Sequence, residues 1–476
     1  MGDGSRVSHL ERITARLLEG DISDAARLAA VEPAPPAAAT GDLARLRQLL
    51  HQVESIQLPD GRLRTDAQPT EVFDAIVELV LSLGAVEEAH RLAGEALERW
   101  PLDPYLNGAF GLVRRARGDL SDASVRSATA AAEAMWKIRQ PGVHPSVVRQ
   151  CELLLDWDAQ MRALNGDLSA IGQFAHIRDS IAQTSVPLPG QPAARPLIDA
   201  PRLDDVDEYD EIAVVEHFGL GDRAMFARFY CALADRLPST KITVICHPLL
   251  TNIYKASFAH RPTLAFVPAD ATGLMSGFDA QIPAPALPQY LGVSDVADIR
   301  DGTSSWLQPS PAAAGRTRHE LERLGVHGPT AGIVWRDSHR WYQPHRFIPL
   351  TQLALLLARC GYHVVALDPL VDHDEIAAFT SESGVPIVTV RDLPLADMEE
   401  VAALMVNVDR IVTIDKVFAN LGGALGLPTD VFLSTFVDYR WTTGPGGSPF
   451  YEKVKCHRQR TYGCWAEPLE QLASHL

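Results

Sequence analysis

From Glu211 onward, short β-branched runs alternate with amphipathic helical stretches along the 476-residue chain. Strands that alternate with helices form parallel sheets with helices on both faces. A break near Gly328 divides the pattern into two sets, so the sequence predicts an α/β fold of two doubly wound domains, 211–327 and 328–476, that face each other across a cleft. The strand candidates are EIAVV, KITVIC, TLAFV and FDAQIPA in the first set, and TAGIV, HVVAL, PIVTV, DRIVTI and TDVFL in the second.

The residues before this pattern carry a repeated motif. GAVEEA at 84–89 and GDLSDA at 118–123 begin 34 residues apart, each between apolar helical stretches. This period and its glycine turn resemble the tetratricopeptide (TPR) repeat, whose helix pairs stack into a curved array; a generic helical bundle is the alternative. We therefore predict an all-α TPR-like domain over 1–185 and a linker over 186–210, which is rich in proline and acid.

Composition excludes several classes of protein. The net charge of −17 argues against a nucleic-acid or anionic-membrane surface, since both need a basic face. The six cysteines lack a CxxC pair, which favours a reducing compartment, and no further Cys or His group completes a metal site around Cys456 and Cys464. The N-terminus has no signal-peptide core, and no apolar run approaches the ~20 residues of a membrane span. We expect a cytoplasmic protein with no membrane span, no nucleic-acid partner and no metal.

The first candidate site is a glycine turn, EHFGLGD, which follows the first predicted strand of the first domain. Gly219 and Gly221 would let the backbone approach a ligand, and the N-terminus of the next helix would favour an anion or a polarised hydroxyl. A tight turn also requires glycine, and Asp222 is equally explained as an acid in the first helical turn. The sequence leaves both interpretations open.

Two further candidates follow strands of the second domain. The loop WRDSHRWYQPHR, from Trp335 to Arg346, concentrates guanidinium and imidazole groups suited to phosphate; its alternative is a solvated surface loop. The turn DKVFAN, from Asp415 to Asn420, opens a small-residue helix whose amides could receive a diphosphate, with Lys416 adding a charge. Here the alternative, compatible with binding, is that Asp415 caps the helix. The candidate donor-binding residues are Arg336, His339, Arg346, Asp368, Asp415, Lys416 and Asn420.

Several motifs in the same order resemble GT-B glycosyltransferases of the heptosyltransferase-like group (glycosyltransferase family 9-like), in the branch fused to TPR repeats. The resemblance covers residues 211–476. The motifs are GLGDRAMFARFYCAL (219–233), GIVWR with RFIPL (332–336, 346–350), DLPLADMEEVAALMVNVDRIVTID (392–415), ANLGGALGLPTDVFLS (419–434), and VDYRW with SPFYEKVKCHRQ (437–441, 448–459).

The resemblance implies roles at matching positions. Asp222 matches the acid that faces the acceptor and is proposed as general base. Arg346 matches the basic residue near the donor diphosphate, and Asp415 matches the acid near the donor sugar and phosphates. Asp368, which ends another strand, would lie near the nucleotide.

The chain departs from the family pattern in the DKVFAN turn. Lys416 replaces a small hydroxyl residue, and Asn420 replaces a histidine. Lysine still offers charge to a diphosphate and asparagine still offers a hydrogen bond to the leaving group, but in a different geometry. The departures therefore leave the donor, and to a lesser degree the activity, open.

The resemblance implies an enzyme that transfers a sugar from a nucleotide-activated donor to an acceptor hydroxyl without a metal, with the nucleotide sugar as co-substrate and no other cofactor. The TPR-like domain would hold the acceptor, a protein or peptide, and the sequence leaves homo-oligomerisation open. The alternative is a catalytically degenerate binding or scaffold protein. A nicotinamide-dependent oxidoreductase is disfavoured because the chain lacks a proper GxGxxG with its ribose-binding acid.

Overall fold

The computed structural model describes residues 86–99, 101, 103–138, 145–184, 197–198, 200–203, 209–269, 274–299, 304–336, 346–390, 397–436, 438–441, 447–461 and 463–476. Two compact units divide the chain between Asp158 and Ala159. The second unit contains both sheets and consists of Ala159–Ser338, Arg346–Arg460 and Cys464–Leu476.

Helices occupy the described residues before the sheets. They are α1 (Val86–Arg99), α2 (Pro104–Ala116), α3 (Leu120–Ile138), α4 (Pro145–Leu164) and α5 (Ser169–Thr184). Gly118, between α2 and α3, has φ of 79°, a left-handed conformation that glycine adopts readily where a helix ends. The copy of the motif that begins at Gly84 starts outside the described residues, so the TPR array stays a prediction. Every helix in the described part of the chain is too short or too polar to cross a membrane.

The first sheet is parallel and has four strands in the order β4-β3-β2-β6. Its part of the chain contains β1 (Leu197–Ile198), β2 (Glu211–Val215), α6 (Leu220–Phe226), α7 (Phe229–Arg236), β3 (Lys241–Cys246), α8 (Thr251–Ser257), β4 (Leu264–Pro268), β5 (Leu274–Met275), β6 (Ala280–Pro283), α9 (Leu287–Tyr290) and α10 (Pro311–Arg323). Part of the predicted linker also takes up strand pairing, because β1 pairs with β5 and Arg202 forms a bridge with Gln281.

The second sheet is parallel and has six strands in the order β12-β11-β10-β7-β8-β9. Its elements are β7 (Thr330–Val334), α11 (Leu350–Arg359), β8 (His363–Ala366), α12 (His373–Ser383), β9 (Ile387–Thr389), α13 (Met398–Met405), β10 (Arg410–Ile414), α14 (Val417–Ala424), β11 (Thr429–Leu433), β12 (Val454–Arg458) and α15 (Ala466–Ala473). All residues of β7 and β11 are buried, as expected for central strands covered on both faces.

The strand orders confirm the predicted α/β architecture. In each sheet, the first strand along the chain lies inside, the second and third extend to one side, and the fourth lies on the other, which is the doubly wound arrangement. The order therefore reverses between β2 and β6 in the first sheet and between β7 and β10 in the second. Ligands of such folds bind outside the carboxyl ends of the strands at this reversal. The three predicted site segments follow β2, β7 and β10.

Candidate functional site

One carboxylate oxygen of Asp222 accepts a hydrogen bond at the start of its own helix, and the other faces residues that follow a strand of the second sheet. Gly219 is the N-cap of α6, and its N–H donates to Asp222 Oδ2 over 3.2 Å. The sequence-based alternative, an acid in the first helical turn, is therefore correct for this oxygen. Asp222 Oδ1 lies 3.3 Å from the Tyr439 hydroxyl and 3.4 Å from Arg440 Nη1, both of which follow β11. The helical role and a role in the site coexist.

The surroundings of Asp222 make its carboxylate a stronger base. Burial raises the pKa of Asp222, the Arg440 guanidinium opposes this effect, and the carboxylates of Asp438 and Asp415 raise the pKa further. The side chain keeps 17% of its surface exposed, so a ligand can still reach it. A carboxyl group with a raised pKa is better matched to proton transfer near neutral pH.

Arg440 joins carboxylates from both sheets. Its Nε and Nη2 donate to the two oxygens of Asp438 over 2.8 and 2.9 Å. Nη1 faces Asp222, and Nη2 lies 4.0 Å from Asp415 Oδ2. Burial would lower the pKa of Arg440, but these three carboxylates raise it well above its usual range, so the guanidinium stays charged. Arg440 lies in the VDYRW motif but was not among the predicted site residues; the available signal was a charged segment after the strand TDVFL.

Arg346 meets Asp415 at the end of β10. Its Nη2 donates to the Asp415 backbone carbonyl and lies 3.9 Å from Oδ2 of the same residue. The structure thus brings together Asp222, Asp415 and Arg346 of the predicted site around Arg440.

Lys416 contacts a neighbouring predicted residue. Its Nζ donates to Asp368 Oδ2 over 2.8 Å, and 14% and 7% of the two side chains are exposed. Lys416 is also the N-cap of α14, and its side chain makes no capping hydrogen bond to that helix. The alternative that Asp415 caps α14 is therefore wrong, and the first amides of the helix keep their capacity to bind an anion.

Asn420 lies on the face of α14 that packs against α6, with 1% of its surface exposed. Its Oδ1 accepts a hydrogen bond from the Tyr451 hydroxyl over 2.7 Å, and its Nδ2 donates to the Lys416 carbonyl over 3.4 Å. A Cβ on Gly221 would lie 2.5 Å from the same Nδ2, so glycine allows the two helices to touch. In this structure, Asn420 therefore acts in packing, and the expected bond to a leaving group would require the amide to move.

The arginine-rich loop is described at its two ends. Arg336 Nη1 donates to Glu375 Oε2 over 3.1 Å, and Nη2 lies 3.7 Å from Asp372 Oδ2, so this guanidinium faces the start of α12. Burial raises the pKa of Glu375, and Arg336 opposes the rise. His339 lies outside the described residues, and its predicted role stays a prediction.

Asp430, His457 and His475 are the group with metal-ligand chemistry in the described part of the chain. Asp430 Oδ1 lies 2.7 and 3.0 Å from the two Nε2 atoms, and Oδ2 accepts from Arg410 over 2.5 Å. Burial raises the pKa of Asp430, but the hydrogen bonds from both histidines and the charge of Arg410 outweigh it and lower the pKa. Among the described residues, the buried His457 Nδ1 has no hydrogen-bond partner, whereas a metal-bound imidazole normally donates from its second nitrogen. The residues fit a hydrogen-bonded cluster better than a metal site.

Comparison with known proteins finds relatives over about half of the chain. No protein-family model matches. The protein FlbA of Caulobacter vibrioides is 27% identical over 270 residues, which cover 54% of this chain and 45% of FlbA. The chain thus spans about half the length of this curated relative.

Two similar solved structures are glycosyltransferases. A family 9 glycosyl transferase from Veillonella parvula matches with a TM-score of 0.40 and 14% identity, over 53% of this chain and 87% of that protein. The ADP-heptose lipopolysaccharide heptosyltransferase II of E. coli matches with a TM-score of 0.38 and 15% identity, over 56% and 98% of the two chains. At these scores and identities, the likeness does not assign an activity to this chain.

Proposed function

We propose that this protein is a glycosyltransferase that moves a sugar from a nucleotide-activated donor to an acceptor hydroxyl. One observation carries the proposal: the Asp222 carboxylate, at the carboxyl end of the first sheet, meets Tyr439 and Arg440 from the second sheet within 3.4 Å. A base of raised pKa and a charged guanidinium thus lie together beside the strand-order reversal of the first sheet. Transfer of a sugar from a nucleotide donor uses a base to accept the proton of the acceptor hydroxyl and a cation to stabilise the phosphate that leaves.

In the proposed reaction, the oxygen of the acceptor hydroxyl bonds to the anomeric carbon of the donor, and Asp222 accepts the proton that this hydroxyl loses. The bond from that carbon to the phosphate oxygen breaks, and the nucleotide leaves with the electron pair. Arg346, Arg440 and the uncapped amides of α14 are placed to stabilise the phosphate, and such preorganised charge is often the largest contribution to catalysis.

The proposed design needs no metal, because guanidinium groups and helix amides supply the positive charge that a divalent ion would otherwise provide. It also needs no cofactor besides the nucleotide sugar. The acceptor we propose is a protein or peptide held by the TPR-like domain, since helical arrays present extended concave surfaces.

A second candidate function is a binding or scaffold role without catalysis. Its support is the pairing of the cations: Lys416 with Asp368, Arg346 with Asp415, and Arg440 with Asp222 and Asp438. A phosphate must compete with these carboxylates. Transfer requires that the competition succeeds, whereas a scaffold does not need it.

The test is incubation of the full chain with a panel of nucleotide sugars, with or without proteins co-expressed from its source, followed by mass spectrometry. We expect one donor to be consumed and a matching mass increase on an acceptor. Asp222→Asn should lower turnover by about 100-fold or more while leaving donor binding intact. Asp298→Asn, at an exposed residue of the first sheet's part of the chain, is the matched control.

Lys416→Ala addresses the second candidate function. We expect it to weaken nucleotide-diphosphate binding more than nucleoside binding. The scaffold role would be favoured if the wild-type chain binds the donor without turning it over and if Asp222→Asn leaves that binding unchanged.

A further inference from the structure

Helix α5 lies in the same compact unit as the two sheets and is attached to the first of them at several points. Before the helix begins, Leu168 N–H donates to the Ser294 carbonyl over 2.9 Å. Within it, a Cβ on Gly172 would lie 2.8 Å from Ala286 Cα, so the helix lies directly on the backbone that follows β6. Such an approach leaves little freedom for α5 to move relative to this sheet.

The same helix contacts the residue before the glycine turn. Phe174, with 4% of its surface exposed, stacks on Phe218 with ring centroids 5.8 Å apart and planes 16° from parallel. The guanidinium of Arg178, one turn later, lies 5.8 Å from the centre of the Phe218 ring. Both α5 side chains therefore contact the residue immediately before Gly219.

Phe218 has an unusual backbone conformation. Its φ is 66°, the sole positive value at a non-glycine residue in the described chain. A bulky side chain disfavours this left-handed region, so surrounding contacts must maintain it. Two kinds of contact do so here: the stack on α5, and the bond from Arg223 Nε to the Phe218 carbonyl over 3.0 Å.

We infer that α5 is a positioning element for Asp222: Phe174 holds Phe218 in its left-handed conformation and thereby fixes the turn that carries the base. The link is short, because the next residue, Gly219, donates its N–H to Asp222 Oδ2. If Phe218 relaxes to negative φ, the chain direction changes one peptide before that bond. The catalytic consequence rests on the proposed function, but the conformational link does not.

The test is a double-mutant cycle on the full chain with Phe174→Ala, Phe218→Gly and the combined variant. Hydrogen exchange of the peptide covering 216–224, measured by mass spectrometry, is the readout that needs no substrate. We expect Phe174→Ala to speed exchange in this peptide by about tenfold, because the turn opens locally. In the Phe218→Gly background the same change should have little effect, since the ring that Phe174 holds is absent and glycine tolerates positive φ. Phe379→Ala, at a buried phenylalanine of α12, is the control for general destabilisation.

Equal effects of Phe174→Ala in both backgrounds would overturn the inference, as would an effect no larger than that of Phe379→Ala. With a donor identified, Phe174→Ala should lower kcat with an unchanged donor KM and displace the pH dependence of kcat, which a purely structural role would not do. An absence of turnover in the wild-type chain would count against the transferase alone, because the exchange cycle still decides whether α5 positions the turn.

Discussion

Gly221→Ala tests the contact between the helix that carries Asp222 and the helix that begins at Lys416. A Cβ at Gly221 would lie 2.5 Å from Asn420 Nδ2 and 3.1 Å from its Cγ. Non-bonded heavy atoms pack best at about 3.5–4.0 Å, so the added methyl group is about 1 Å too close. Either Asn420 must rotate or α6 and α14 must separate.

Both responses lower the free energy of unfolding. Asn420 is buried and holds the Tyr451 hydroxyl, so rotating it leaves buried polar groups unpaired at about 1–3 kcal/mol. Separating the helices is overpacking, with a similar cost of about 1–3 kcal/mol. Alanine recovers roughly 0.5–1 kcal/mol through its better helix propensity. We expect a net loss of about 1–2 kcal/mol, which lowers Tm by roughly 1.5–3 °C in a compact unit of about 300 residues.

Differential scanning calorimetry measures this loss, and Gly315→Ala is the matched control. Gly315 lies in α10, and a Cβ there would have no atom of the described residues within 4 Å. The control should therefore gain about 0.5–1 kcal/mol and melt slightly higher than the wild type. If Gly221→Ala melts at or above the wild-type temperature, the close contact of α6 with α14 is refuted.

Three further outcomes are expected. Arg440→Met removes the cation that lowers the pKa of Asp222, so the acidic limb of the kcat–pH profile should move to higher pH; an unmoved limb would separate the two residues functionally. The pKa of Asp430 is lowered in the folded protein, so its contribution to stability is present above the ordinary carboxyl pKa and is lost as pH falls through the folded value. His457→Ala removes one of the hydrogen bonds that lower this pKa. We therefore expect the variant to begin acid unfolding at a higher pH than the wild type, as measured by circular dichroism. Treatment with EDTA should leave donor turnover unchanged if Arg346 and its neighbours supply the charge compensation, and a loss restored by a divalent ion would contradict this.

The sequence was sufficient to predict the position of site residues that directly follow a strand. Alternating strands and helices predicted two parallel sheets, and Asp222 and Asp415 follow β2 and β10 as the doubly wound pattern requires. Strand periodicity indicates which residues end a strand, and parallel pairing then places those ends at one edge. No longer-range information is needed for this step.

Contacts between distant segments were beyond the sequence pattern. Lys416 and Asp368 are 48 residues apart, and nothing in either segment showed that they would pair. Arg440 reaches Asp222 from 218 residues later in the chain. The docking of α5 escaped prediction for a related reason: helical periodicity shows that a face is apolar but not which surface will cover it.

The attachment of α5 affects how the two sheets can be isolated. A fragment that starts at the predicted linker, residue 186, would lack this helix and its buried Ile171, Phe174 and Ala175. The backbone of Ala286 would then be uncovered, and Phe218 would lose its stacking partner. Such a fragment should be prone to aggregate, and its inactivity would say nothing about whether the helical repeats bind an acceptor.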